Sequence, residues 1–288
     1  MAPRGRKEGV TALPGGSGQR VKSTLLRTAY APVQGWRYAT AGLRPLPDVV
    51  IVGAQRSGTT SMHTWLCSHP AVAPLRYTEL HYFDVHYDRG ERWYRTHYPI
   101  ARGTRSIESS PYMLFHPLAP VRAGTDLPVK TRFIALLRDP VERAISHYWH
   151  ERRLGRETEP LEVALALEDE RLAGQTEVVE RGEKSFQHRN RSYQARGLYA
   201  EQLRRWFGAV GHDRILIVES EELFRRPEAA SEVLDWLGLE RFDVPFPAVN
   251  EARREHEADI AIQQNLNRHF APHNEELFEL LGRRMWNR

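Results

Sequence analysis

The chain has 288 residues, 41% hydrophobic and 27% charged, ordinary values for a globular protein with room for one sizeable core. Its net charge of +4 is unevenly placed: residues 1–47 carry eight Lys/Arg and one acidic residue, so residues 48–288 are net negative, which argues against a nucleic-acid-binding body. No run of 18 apolar residues exists to span a membrane, the first 20 residues lack the apolar stretch of a secretory signal, and the single Cys67 excludes an internal disulfide and fits a reducing, cytoplasmic setting.

Residues 1–47 read as a basic, partly disordered N-terminal tail, in which Leu25, Leu26, Tyr30, Trp36 and Tyr38 could pack on the domain that follows. The domain, residues 48–288, begins with Val49-Val50-Ile51-Val52, four β-branched apolar residues that predict a strand buried on both faces. A turn from Gly53 to Gly58 comes next, and then Met62, Trp65 and Leu66 at the spacing of one helical face. Strand, glycine turn and helix form a phosphate cradle, in which backbone N–H groups and the helix N-terminus point at an anion. The spacing copies the nucleotide loop G-x-x-x-x-G-K-S/T except that Thr59 stands in place of the Lys, while Arg56 supplies a planar fork of donors inside the loop. Such a loop is suited to an anion other than the γ-phosphate of ATP. Plain α/β scaffolding is the blander reading of the same residues.

An aromatic stretch, Leu75 to Asp84, embeds the carboxylate of Glu79. Arg105 to Ser109 predicts a short strand stopped by Pro111, and Thr131 to Leu137 a second buried strand. The latter runs into Arg138-Asp139-Pro140-Val141-Glu142, where Asp139 is suited to an N-cap, Pro140 to the first helical position and Glu142 to a capping-box return. The helix that follows places Val141, Ala144, Ile145, Tyr148 and Trp149 on one face. Residues 156–192 are charged with few apolar anchors and read as a surface insertion or lid. A helix around Tyr199, Leu203, Trp206 and Phe207, a strand Ile215–Val218 ending at Glu219, a helix from Pro227 closed by Gly238, and a helical C-terminus with Leu277, Leu280 and Leu281 complete the chain. Strands alternating with helices predict an α/β fold: a single domain with a central parallel sheet, helices on both faces and a P-loop-like phosphate-binding loop. Ligands of such sheets sit beyond the carboxyl ends of the strands, where Arg56, Glu79, Arg138 and Glu219 fall.

Two anion-binding features on one sheet, the first loop and Arg138 beside a fresh helix N-terminus with the Ser146 hydroxyl two turns further on, suggest a nucleotide with phosphates at both ends of its ribose. Here the chain resembles a family. Ala54-Gln55-Arg56-Ser57-Gly58-Thr59-Thr60 is similar to the 5′-phosphosulfate loop of the sulfotransferases that use 3′-phosphoadenylyl sulfate (PAPS). Leu137 to Ser146 is similar to their 3′-phosphate motif, with its Arg and Ser eight residues apart. Glu79-Leu80-His81-Tyr82-Phe83-Asp84 resembles the E-x-H-F-F-D segment of the heparan sulfate 3-O- and N-sulfotransferase group, and Ile107 to Tyr112 its E-K-T/S-P-x-Y segment, with Ser109 in place of the Lys. Arg196-Gly197-Leu198-Tyr199-Ala200 also fits, and Asn250, Arg253 and Arg254 stand where the family makes a late 3′-phosphate contact.

The resemblance implies a sulfotransferase that moves the sulfuryl group of PAPS to a hydroxyl or amine. The acceptor would be a carbohydrate, a glycolipid or a phenolic natural product, and neither nucleic acid nor a membrane span is involved. It implies donor binding by Arg56, Ser57, Gly58, Thr59, Thr60, Ser61, Arg138, Ser146, Arg196 and Tyr199. Glu79 would be the general base, strengthened by burial among aromatic neighbours, with His81 a second base or its orienting partner. Arg56 would meet the charge that grows on the leaving phosphate, so that no metal is needed. His147 and His150, at i and i+3, lack a third ligand at convincing spacing and read as helix-face residues. Two other readings stay open: a P-loop nucleotide kinase and a non-catalytic nucleotide-binding module.

Overall fold

The structure, a computed structural model, describes residues 32–73, 75, 78–100, 103–247 and 258–286. Leu25, Leu26, Tyr30, Asn250, Arg253 and Arg254 lie outside the described residues. Five parallel strands form one sheet: β1 (Val49–Gly53), β2 (Val72–Ala73), β3 (Arg105–Ser109), β4 (Arg132–Leu137) and β5 (Ile215–Glu219), in the order β2-β3-β1-β4-β5. The central strand β1 is buried along its whole length, as a β-branched run covered on both faces requires. β2, two residues long, was not foreseen; it pairs Val72 with Arg105 and Ala73 with Ser106 at the sheet edge.

Alternation along the strands splits the core into two layers. Val49, Ile51, Ile134 and Leu136 face α1 (Thr59–Cys67), whose Met62, Trp65 and Leu66 form the expected stripe, and the later helix Pro227–Leu237 with Val233, Leu234 and Leu237. Val50, Val52, Phe133, Ala135 and Leu137 face the opposite layer. There α2 (Gly90–Arg95), α3 (Ala119–Asp126) and a later helix, Tyr199–Val210, contribute Tyr94, Ala119, Ala123, Leu203 and Trp206. α4 (Pro140–Arg153) follows β4 and packs Val141, Ala144, Ile145 and Tyr148 against Phe270 and Leu266 of the C-terminal helix Ile260–Leu281.

Gly53 ends β1 with φ 156°, and a Cβ there would meet the Cβ of Leu114 at 2.6 Å and the carbonyl oxygen of Pro111 at 3.0 Å. Both contacts are with the packed 110–114 turn, so the backbone would have to yield. Gly53→Ala is expected to cost about 2 kcal/mol, read as a fall of several degrees in Tm.

Residues 156–192 fold into four short helices, Leu161–Ala166, Glu168–Leu172, Gln175–Glu180 and Phe186–Asn190. Their buried apolar anchors are Leu161, Ala164 and Val179, and two buried carboxylates do much of the rest. Glu157 accepts from the amides of Thr158 and Glu159, from Arg171 at 2.7 Å and from Tyr193 at 2.9 Å. Glu168 accepts from the amides of Gln194 and Ala195. At the other end of the chain, a helix over 32–39 leads to Arg44, which donates to the carbonyl of Tyr98 at 2.5 Å and ties this segment to the domain.

Candidate functional site

β1 sits at the centre of the sheet: the chain runs from it out to β2, returns through β3, and then crosses to β4 on the other side, so a crevice opens beyond the carboxyl end of β1. The loop from Ala54 to Gly58 lines that crevice. The Ala54 amide donates to the Leu136 carbonyl at 2.7 Å, pinning the loop to β4. Gly58, at φ 82°, begins α1 with no side chain capping the helix, so the amides of its first turn stay available to an anion. Ser57 is an exception to the expected run of amides: its N–H closes a turn onto Ala54 at 3.2 Å. The Ser57 hydroxyl is buried with no hydrogen-bond partner, while the Ser57 carbonyl accepts from Ser220 at the end of β5, at 2.6 Å.

Arg56 adopts a left-handed backbone, φ 72°, uncommon outside glycine. Its Nε donates to the hydroxyl of Ser146 on α4 at 3.1 Å. Arg138, at the end of β4, donates from Nη1 to the Arg56 carbonyl at 3.3 Å and from Nη2 to Glu142 at 2.8 Å; its Nε is buried without a hydrogen-bond partner, 3.8 Å from Glu221. Two loops and a helix, 82 to 90 residues apart in the chain, thus bring Arg56, Arg138 and Ser146 together. Burial depresses the pKa of Arg56, and the cations Arg153 and Arg138 depress it further. Concentrated positive charge, with buried donors of Ser57 and Arg138 left over, is what an anionic ligand would satisfy.

The start of α4 does not join in. Asp139 caps it, its Oδ1 accepting from the amides of Val141 at 2.9 Å and Glu142 at 3.2 Å, so that helix N-terminus already faces its own carboxylate. The second anion feature therefore rests on the Arg138 and Ser146 side chains.

Arg196 and Tyr199, both buried, hydrogen-bond to residues of this surface. Buried Arg196 donates to Gln55 of the loop, to the Ser192 hydroxyl at 2.8 Å and to the carbonyls of His188 and Arg189, and its guanidinium lies over Tyr112. Burial lowers its pKa to about 10. Tyr199 donates to the Arg138 carbonyl at 3.0 Å. Each steadies a residue at the crevice.

Glu79 differs from expectation. Its side chain is 43% exposed, outside the aromatic packing around Tyr82, and its Oε2 lies 3.1 Å from His81 Nε2. His81 Nδ1 is 2.9 Å from Asp84 Oδ2, so the three side chains form a line from solvent into the core. Asp84 is buried and anchors that line. Burial would lower the His81 pKa, but the Asp84 carboxylate and the hydrogen bond to Glu79 outweigh it and raise it to about 9; Asp84 is held below its usual range by His81 despite its burial. Burial and the nearby cations, Arg56 first among them, lower the His150 pKa to about 4, while the Glu79 carboxylate pulls the other way. From the 156–192 segment, Arg189 bears on the His81–Asp84 pair and Lys184 on His86.

A group whose folded pKa lies above its unfolded value binds its proton more tightly in the fold, so its stabilisation is complete below the unfolded pKa and lost as pH rises through the folded one. For His81 that window runs from about 6.5 to about 9, and the effect is on the order of 3 kcal/mol. Tm is expected to fall between pH 7 and pH 9.5, and calorimetry of His81→Gln should find that decline flattened. An equal decline in the variant would assign it elsewhere.

A model of the sulfotransferase domain matches residues 46–254, which takes in every strand and both anion-binding features. The chain belongs to the sulfotransferase family. The crystal structure of a sulfotransferase from Alicyclobacillus acidocaldarius superposes on this sulfotransferase with a TM-score of 0.69 and 26% identity, covering 84% of this chain and 98% of that one. The human bifunctional heparan sulfate N-deacetylase/N-sulfotransferase 2 is 30% identical over 207 residues, 68% of this chain and 22% of its own length. The human heparan sulfate glucosamine 3-O-sulfotransferase 3B1 is 26% identical over 272 residues, 85% of this chain and 66% of its own length. The chain thus spans only part of these curated relatives.

Sequence reasoning passed over two residues around the site of this sulfotransferase, Ser220 and Glu108. Glu108 lies in β3, fully buried, and burial raises its pKa to about 7. Lying within a segment already noted for its resemblance, it could have been singled out as a carboxylate inside an apolar strand. Among the described residues, no group of three or more His, Cys, Asp or Glu is arranged to hold a metal ion, and no helix is long and apolar enough to cross a membrane.

Proposed function

We propose that this sulfotransferase takes its sulfuryl group from PAPS and delivers it to a hydroxyl or amine, with Glu79 as general base. One observation carries the reading: the convergence of Arg56, Arg138 and Ser146 beside an uncapped helix N-terminus. Such an array suits a ligand with two phosphate groups on one nucleoside. The 5′-phosphosulfate would lie on the loop amides and Arg56, and the 3′-phosphate against Arg138 and Ser146. Arg196 and Tyr199 serve by holding Gln55 and the Arg138 backbone.

In the transfer, the acceptor oxygen or nitrogen bonds to sulfur as the bond from sulfur to the phosphate oxygen breaks, leaving 3′-phosphoadenosine 5′-phosphate. Negative charge grows on that oxygen, and Arg56 with the first-turn amides meets it in a pre-formed arrangement. The acceptor proton goes to Glu79. With Oε2 engaged by His81, Oε1 remains for the acceptor. Exposure of Glu79 suits this reading, because an acceptor arriving from solvent must reach it. In this mechanism Arg56 plays the part a metal plays in phosphoryl transfer.

A carbohydrate acceptor is supported by the relatives named for heparan sulfate. Lys184 and Arg189, on the 156–192 segment, act on His86 and His81 and would border it. The deciding experiment is calorimetric titration with 3′-phosphoadenosine 5′-phosphate, with ATP and magnesium in parallel. Micromolar binding of the first supports the reading. Binding of ATP with magnesium alone would make this a nucleotide kinase.

A further inference from the structure

Behind the line of Glu79, His81 and Asp84 runs a second polar chain, wholly buried and unused by the mechanism. Glu108 sits at the carboxyl end of β3. Its Oε2 accepts from the hydroxyls of Tyr94 and Tyr98, and its Oε1 from the Ser110 hydroxyl at 2.9 Å. The Ser110 oxygen in turn accepts the main-chain N–H of His81, also at 2.9 Å. Glu108 and Ser110 are both fully buried, so neither side chain can exchange these partners for water.

The contact falls on an unusual piece of backbone. His81 has φ 51°, a left-handed conformation that a β-carbon disfavours. Its carbonyl accepts from the amides of Val85 at 3.0 Å and His86 at 2.8 Å, and Ser110 holds its N–H. Those three bonds fix the peptides on either side of the Cα. They also fix the direction in which the imidazole leaves, between Glu79 at 3.1 Å and Asp84 at 2.9 Å. Released from Ser110, the residue would be free to relax toward negative φ, which would swing the ring off one or both carboxylates.

We propose that Glu108 is a positioning residue for proton transfer at Glu79: through Ser110 it holds the His81 backbone in the conformation that aims the imidazole between Glu79 and Asp84. The inference rests on the reading of Glu79 as the base. An ionised Glu108 only accepts hydrogen bonds, so Ser110 must direct its single proton to Glu108 and present a lone pair to the His81 amide. A protonated Glu108 can itself donate to Ser110, and the orientation of that hydroxyl is then no longer imposed. The charged and titratable groups that bear on Glu108 are Tyr94, Tyr98, Asp84 and His81. Burial, the largest influence, raises its pKa to about 7, while the Tyr94 and Ser110 donors favour the ionised form. The hold on His81 is therefore pH-dependent near neutrality.

The test follows His81 directly, by NMR of imidazole nitrogens in the full chain, its signal assigned by its loss in His81→Gln. In Ser110→Ala and Glu108→Gln the His81 titration midpoint should drop by at least one pH unit from about 9, and Ser110→Thr, which keeps the hydroxyl, should restore it. The kcat at pH 7 should fall tenfold or more in both variants, with KM for PAPS within twofold of the wild type. The acid limb of the wild-type kcat profile, with its midpoint near 7, should vanish in Glu108→Gln. Should Glu108→Gln fail to fold, Ser110→Ala carries the test alone, with an unchanged affinity for 3′-phosphoadenosine 5′-phosphate as its check of integrity. An unmoved His81 midpoint in Ser110→Ala overturns the proposal. Glu79→Gln serves as the separate control: undiminished turnover there would sink the base assignment, while the His81 signal would still report whether Ser110 and Glu108 hold the imidazole.

Discussion

Glu79→Gln is expected to lower kcat by about 10³-fold, within the usual range for removal of a general base, while leaving affinity for 3′-phosphoadenosine 5′-phosphate within twofold of the wild type. The substitution is nearly isosteric. The amide oxygen of Gln can still accept from His81 Nε2, so the His81–Asp84 pair keeps its geometry. The variant loses only the capacity to take the acceptor's proton. Because Glu79 is 43% exposed, the change also leaves no buried group without a partner, and stability should hold. Initial rates of 3′-phosphoadenosine 5′-phosphate release from PAPS, with the best acceptor of a carbohydrate panel, provide the measurement. A variant that turns over at the wild-type rate would remove Glu79 from the chemistry and leave its line to His81 as a structural feature.

Arg138→Ala should weaken binding of 3′-phosphoadenosine 5′-phosphate by roughly 10- to 150-fold, the loss expected when a charge-assisted hydrogen bond to an anion is removed. Adenosine 5′-monophosphate, which has no 3′-phosphate, should be affected far less. That contrast separates a residue reading the 3′-phosphate from one that merely supports the loop. Arg56→Ala should reverse the pattern and weaken both ligands, because both carry the 5′-phosphate. The two substitutions will not add independently: Arg138 donates to the Arg56 carbonyl, so each change disturbs the other's setting. Both affinities should fall as salt is raised, since the array works by charge. Equal losses for the two ligands in Arg138→Ala would reassign Arg138 to support of the loop.

Much of this architecture is legible in the sequence. β1 and β4 were readable because strands covered on both faces need unbroken apolar runs, and Val49–Val52 and Phe133–Leu137 supply them. Asp139 and Pro140 marked the start of α4 because capping is local chemistry, written in adjacent residues. β2 escaped notice because two residues, Val72 and Ala73, carry no periodicity; only pairing with β3 makes them a strand. The site divided in the same way. Arg56, Arg138 and Ser146 could be named from motif spacing, yet nothing in that spacing says that Arg56 would reach Ser146 or that Arg138 would hold the Arg56 backbone.

Burial was the quantity that local pattern could not supply. Glu79 was expected among aromatic rings and instead meets solvent, while Asp84 and Glu108, equally acidic in the sequence, are buried. Arg196 is buried and gives its donors to Gln55 of the loop, to Ser192 and to two main-chain carbonyls. A carboxylate or guanidinium takes its role from the dielectric and the partners around it, and those come from segments distant in the chain. The sequence was sufficient for the strands, the caps and the types of residue at the anion-binding loop, because hydrophobic periodicity and backbone hydrogen bonding act over a few residues. Tertiary packing alone decided which charges face the crevice, which lie beneath it, and which proton-carrying groups touch, because solvation and contact are properties of the folded whole.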